Sequence, residues 1–235
     1  ATYYMIYANG WGSFGEVPDE EKVNQPELDE TQRRFGEVMK VWAEHIRGRG
    51  IDPARIVICL FDEPQFSSQA RIILYWARAI KAAVPEFKLY EDTRFKTAYF
   101  ENPYVLRMLD LVDIITPGTD YDYQRLGQPA VDFYEKLRQK GKIMGFYVCA
   151  QTPSEAEATR YYRLQQWACW MINAGGRQSW SGFWSYSDVR GGTPWNQLAG
   201  GNDRNWCPAY LDYTSATDGK HWLAIFEGVQ DYEYL

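Results

Sequence analysis

The run Ile56 to Phe61, reading IVICLF, places six apolar residues in succession. A strand with one wet face alternates apolar and polar side chains, so an unbroken run reads as a strand covered on both sides. Parallel strands joined by helical crossovers provide that cover. The remainder of the chain has the matching rhythm. Strands are expected over residues 3–8, 56–61, 88–92, 112–118, 142–148 and 181–186, with helices over about 27–49, 67–84, 102–110, 129–140 and 155–174 and a closing helix after Gly219. Phe35, Val38, Met39, Trp42 and Ile46 follow the helical period in the first helix, and Ala70, Ile73, Leu74, Ala77 and Ile80 follow it in the second. Pro129 suits a first helical turn, and Ser154 with Glu157 has the spacing of a capping box. Residues 187 to about 218 carry few periodic signals and are expected to be irregular.

Strand and helix in alternation point to a parallel α/β fold. A doubly wound sheet and a (β/α)8 barrel both satisfy the pattern. The segment ANGWGSFG after the first strand lacks the dinucleotide-binding spacing, and no helix follows it directly. Polar and aromatic residues recur instead after successive strands: Asn9 and Trp11, Asp62 and Glu63, Glu91 and Asp92, Thr116, Tyr147, Trp184 and Tyr186. A barrel collects its functional residues at the C-terminal ends of many strands. The expectation is therefore one TIM-barrel-like domain over residues 1–235, lacking one or two N-terminal βα units in this chain and so a fragment of a larger protein.

Composition narrows the function. The net charge of −6 argues against nucleic acid or an anionic membrane as partner. No stretch approaches the roughly 20 apolar residues of a membrane span. Cys59, Cys149, Cys169 and Cys207 lack metal-site spacing and are expected as buried thiols, and His45 and His221 form no paired motif. Neither a metal nor a cofactor is expected. Aromatic residues reach 17%, with 10 Trp and 18 Tyr, more than average domains use, and core packing is the plainer reading for most of them. Such rings stack on the apolar faces of sugars.

Asp62 and Glu63 follow the buried run directly, and Pro64 helps to end the strand. Acids ahead of a helix are also favoured by its dipole, which is the plainer reading of DEPQFSS. Two neighbouring carboxyls repel as anions, however, so one keeps its proton to higher pH. An acid beside a charged group is the equipment of glycoside hydrolysis. The usual second carboxylate at a later strand end is missing from GFYVCAQTP, and in FWSYSD the acid Asp188 stands well past the aromatic cluster. Glu91 and Asp92 are the other close candidates. The simplest account of this deficit is a nucleophile supplied by the substrate.

The segments CLFDEP, KIMGFYVCAQTP, SGFWSYSD, the pair PW and the terminal FEGVQDYEYL together resemble glycoside hydrolase family 123 and its relatives, from about Ile56 onward. The resemblance implies substrate-assisted, retaining hydrolysis of β-linked N-acetylhexosaminides, N-acetylgalactosamine first among them, with no cofactor. It makes Glu63 the general acid/base, Asp62 the residue that holds the 2-acetamido N–H, and Tyr147 a hydrogen-bond donor to the acetamido carbonyl. Trp184, Trp195 and Trp11 become sugar platforms, with Asn9, Glu91, Asp92 and Tyr186 beside them. The fifth strand reads GFY where the family has two larger aromatics, and the family's N-terminal β-sandwich is missing. A glycan substrate places the protein outside the cell or in the periplasm. Two other readings stay open: a conventional glycosidase pairing Glu63 with Glu91 or Asp92, and a non-catalytic carbohydrate-binding barrel.

Overall fold

The computed structural model describes residues 4–7, 18–118, 126–148, 159–173, 179–183, 209–211 and 216–234. They gather into two compact units, Ala1–Ile143 and Met144–Leu235.

In the first unit, β1 (Tyr4–Tyr7), β2 (Ile56–Cys59), β3 (Lys88–Glu91) and β4 (Ile114–Ile115) lie side by side in chain order. Every neighbouring pair is parallel, with Tyr7 opposite Cys59, Cys59 opposite Tyr90 and Tyr90 opposite Ile114. The four residues of β2 are all buried, as the unbroken apolar run requires. Helices α1 (Glu20–Asn24), α2 (Glu30–Gly48), α3 (Ser67–Ala83), α4 (Pro103–Leu111) and α5 (Gln128–Gln139) complete the unit. The fold is a parallel α/β architecture.

Local sequence sets the helix ends. Asp29 caps α2 by accepting from the Gln32 amide, and the Gln32 side chain accepts from the Asp29 amide in return. That box starts the helix at Glu30, three residues later than the periodicity alone indicates. Asn102 caps α4 ahead of Pro103. Helix α3 packs between α2 and α4 and buries Ala70, Ile73, Leu74, Ala77 and Ile80, its predicted face. Of the expected face of α2, Ile46 is buried and Phe35, Met39 and Trp42 are half-buried, but Val38 is exposed, and Gln32, Gly36 and Ala43 are buried beside them. Gly36 is the reason for the close approach, since a Cβ there would stand 3.1 Å from Ala83 Cβ. Fully buried Gln32 spends its amide on the Tyr75 carbonyl at 2.7 Å.

The second unit holds β5 (Ile143–Val148) parallel to β6 (Ser179–Phe183), a π-turn over Thr159–Arg163, α6 (Leu164–Asn173) and α7 (Lys220–Tyr234). The strand β7 (Ala209–Leu211) pairs antiparallel with β8 (Ala216–Asp218), where irregular chain was expected. Segments this short carry too few residues for a period to show. Helix α7 packs on the π-turn and on α6, with Arg163 chelating Asp231 at 2.6 and 3.0 Å and reaching Glu227 at 2.9 Å. No helix among the described residues is long and apolar enough to cross a membrane.

Candidate active site

Parallel register decides what meets at the C-terminal edge of the first unit. Because Cys59 lies opposite Tyr90, the residues that leave β2 run alongside those that leave β3. The Leu60 amide donates to Glu91 Oε1 at 3.3 Å, and the Glu63 amide donates to Asp92 Oδ1 at 2.9 Å. The Arg94 amide donates to the Pro64 carbonyl at 3.0 Å, and Arg94 Nη1 donates to Glu63 Oε2 at 3.0 Å. Residues 91–94 thus grip residues 60–64 through both backbone and side chains.

Glu63 has φ +48°, a left-handed conformation that few residues with a Cβ adopt. Such a residue costs on the order of 1–3 kcal/mol and persists where its surroundings over-determine it. Here the Asp92 carboxylate and the Arg94 guanidinium do so from two sides. The turn lifts Asp62 and Glu63 out of the strand, so adjacent residues escape the opposite-face rule of a strand. Helix α3 begins at Ser67, and Gln69 Oε1 accepts from the Gln65 and Phe66 amides at 2.6 and 2.9 Å. Its first turn contains no acid, and Asp62 and Glu63 stand ahead of it, Glu63 three residues before the N-cap Phe66.

The two carboxyls of β3's end lie deeper. Glu91 is fully buried and Asp92 is 3% exposed. Burial pushes the Glu91 carboxyl well above the usual range, the charge of Asp92 adds to this, and the Leu60 and Phe61 amides oppose it. Burial likewise pushes Asp92 up against the pull of the Glu63 amide, and both the charge of Asp62 and a hydrogen bond shared with its carboxyl raise it further. Asp92 and Asp62 therefore share a hydrogen bond between their carboxyls, and burial favours the neutral form of Asp92. Thr116, at the end of β4, donates its hydroxyl to the Tyr90 hydroxyl oxygen at 2.6 Å and its amide to the Glu91 carbonyl at 3.0 Å. Cys59 Sγ lies 3.4 Å from the Phe61 carbonyl, and the ligand atoms of Cys59, Glu91 and Asp92 all fall within 4.8 Å of one another.

Of the residues singled out by sequence, Asp62, Glu63, Glu91 and Asp92 are thus brought together. Tyr147 is a buried residue of β5 in the second unit, opposite Gly182. Asn9, Trp11, Trp184, Tyr186 and Trp195 lie outside the described residues. Arg94 and Cys59 were not anticipated as members of the site. The charge-rich EDTR directly after a strand was the available signal for Arg94. Cys59 reads as plain core from sequence, because nothing local announces the two acids beside it. No protein-family model matches the sequence, and no curated protein matches it.

Proposed function

We propose that this protein is a glycoside hydrolase acting on β-linked N-acetylhexosaminides, N-acetylgalactosaminides first, through substrate-assisted catalysis. The observation that carries the reading is the separate support of two adjacent carboxyls: Asp62 is backed by Asp92, and Glu63 by Arg94. Glu63 gives its proton to the glycosidic oxygen as the bond to the anomeric carbon breaks. The acetamido carbonyl oxygen of the same sugar attacks that carbon, while Asp62 accepts the acetamido N–H. Water then opens the cyclic intermediate, with Glu63 taking the proton back. Arg94 stabilises the carboxylate that Glu63 becomes between the two steps. An oriented intramolecular nucleophile supplies up to ~7–11 kcal/mol of the barrier.

The conventional two-carboxylate alternative is weakened by burial. Glu91 has no exposed surface and Asp92 almost none, and each is engaged by a backbone amide of the β2 edge. A nucleophile or base must reach the sugar or a water beside it. The parallel strands of the first unit, with their polar residues after the C-terminal ends, are compatible with a (β/α)8 barrel. In this reading a glycan is the partner, and the protein works outside the cytoplasm.

The test is hydrolysis of 4-nitrophenyl β-N-acetylgalactosaminide, beside the plain β-galactoside, by wild type and Glu63→Gln. The expected result is cleavage of the acetamido sugar alone, reduced by about 10²–10⁴ in the variant. Cleavage of the plain sugar would reject substrate assistance.

A further inference from the structure

Beneath the Asp62–Glu63 turn, three side chains from two strand ends form a buried group, of which the reaction above uses Asp92 alone, as the support of Asp62. Cys59, the last residue of β2, is fully buried, as is Glu91. Asp92 follows Glu91 and is 3% exposed. Their ligand atoms all lie within 4.8 Å of one another. Glu91 is held at Oε1 by the Leu60 amide, and its Oε2 is buried with no hydrogen-bond partner. A buried oxygen left in that state costs on the order of 1–3 kcal/mol, and native structures seldom tolerate it without water or an ion nearby.

We propose that Cys59, Glu91 and Asp92 bind one divalent zinc-type ion beneath the Asp62–Glu63 turn. A thiolate with two carboxylates is a donor set for zinc rather than for calcium or magnesium, which take oxygen alone. Zinc-to-donor distances of about 2.0–2.3 Å place tetrahedral ligand atoms roughly 3.5 Å apart, so the present spacing closes by rotation of side chains. Each carboxylate already carries an orienting partner, the Leu60 amide on Glu91 and the Glu63 amide on Asp92. A thiolate and two carboxylates bind only when deprotonated, so binding releases protons and weakens as pH falls. Asp62, half-buried at the rim, marks the way in. The site shares Asp92 with the glycosidase reading, but its readouts are of metal binding and do not depend on glycosidase activity.

The test uses the full chain, stripped by a chelator and titrated with cobalt(II) as a spectroscopic stand-in for zinc. One equivalent should produce the visible bands of tetrahedral cobalt together with a sulfur-to-metal charge-transfer band. Cys59→Ser should abolish the sulfur band, Glu91→Gln should weaken binding about tenfold or more, and Cys169→Ser should leave both unchanged. X-ray absorption on the wild-type zinc complex should count one sulfur among oxygen neighbours, which decides the matter even if a variant fails to fold. Absence of cobalt binding, a sulfur band surviving in folded Cys59→Ser, or a shell without sulfur would each overturn the proposal.

Discussion

The Glu63 amide donates to Asp92 Oδ1 at 2.9 Å across 29 residues of sequence. That single bond joins the turn after β2 to the edge of β3, and it holds Glu63 in its left-handed conformation. Asp92→Ala removes the acceptor and leaves a buried amide unsatisfied, at a cost of about 1–3 kcal/mol. Asp92→Asn keeps an oxygen in place and should retain most of the stability. Urea denaturation of the two variants checks this, and equal losses would show that the bond does not support the turn.

Glu63 also separates backbone strain from chemistry. Glu63→Gln keeps the backbone preference and should cost about 1–3 kcal/mol, the loss being the charge-assisted bond to Arg94 in a pair whose side chains are only 10% and 26% exposed. Glu63→Val puts a β-branched residue at φ +48° and should cost a further ~1–3 kcal/mol. Thermal melts of both variants measure the difference directly.

In the second unit, a Cβ at Gly228 would stand 2.6 Å from the Arg163 carbonyl oxygen. The obstacle is backbone, so Gly228→Ala must push α7 off the π-turn, and the expected loss is about 1–3 kcal/mol. The gain in helix propensity of ~1 kcal/mol offsets part of it. A variant as stable as wild type, by calorimetry, would contradict this packing.

The Asp231 carboxyl is drawn down to about 2, first by its hydrogen bonds from Arg163 and then by the Trp167 indole N–H at 2.9 Å. A carboxyl with a lowered folded-state pKa contributes stability that is complete above its unfolded value of about 3.9 and is lost as pH falls through the folded one. Protection of the α7 amides, taken relative to their intrinsic exchange rate, should therefore fall between about pH 4 and pH 2, and Asp231→Asn should already show the lower protection at neutral pH. An acid response identical in that variant would assign the loosening to other groups.

Much of this architecture is legible in short stretches. Asp29 with Gln32 and Asn102 with Pro103 announce their helices because a cap is satisfied within three residues. Strand β2 shows itself because cover on both faces leaves no room for polar residues. The exposed Val38 was misread because Gly36, silent in any hydrophobic period, determines which side of α2 meets α3. A two-residue strand such as β4 is extended by its neighbours' hydrogen bonds rather than by its own composition.

By itself, the sequence determined that strands and helices alternate, and that Asp62 and Glu63 stand where a buried strand stops. Both follow from local physics: apolar periodicity, caps and the breaking effect of proline. Tertiary structure alone decided that Asp92 carries the Glu63 amide, that Arg94 faces its carboxylate, and that Cys59 meets Glu91. Those partners are set by the register of parallel strands joined through a helix, and no local pattern of residues encodes a register across some 30 positions.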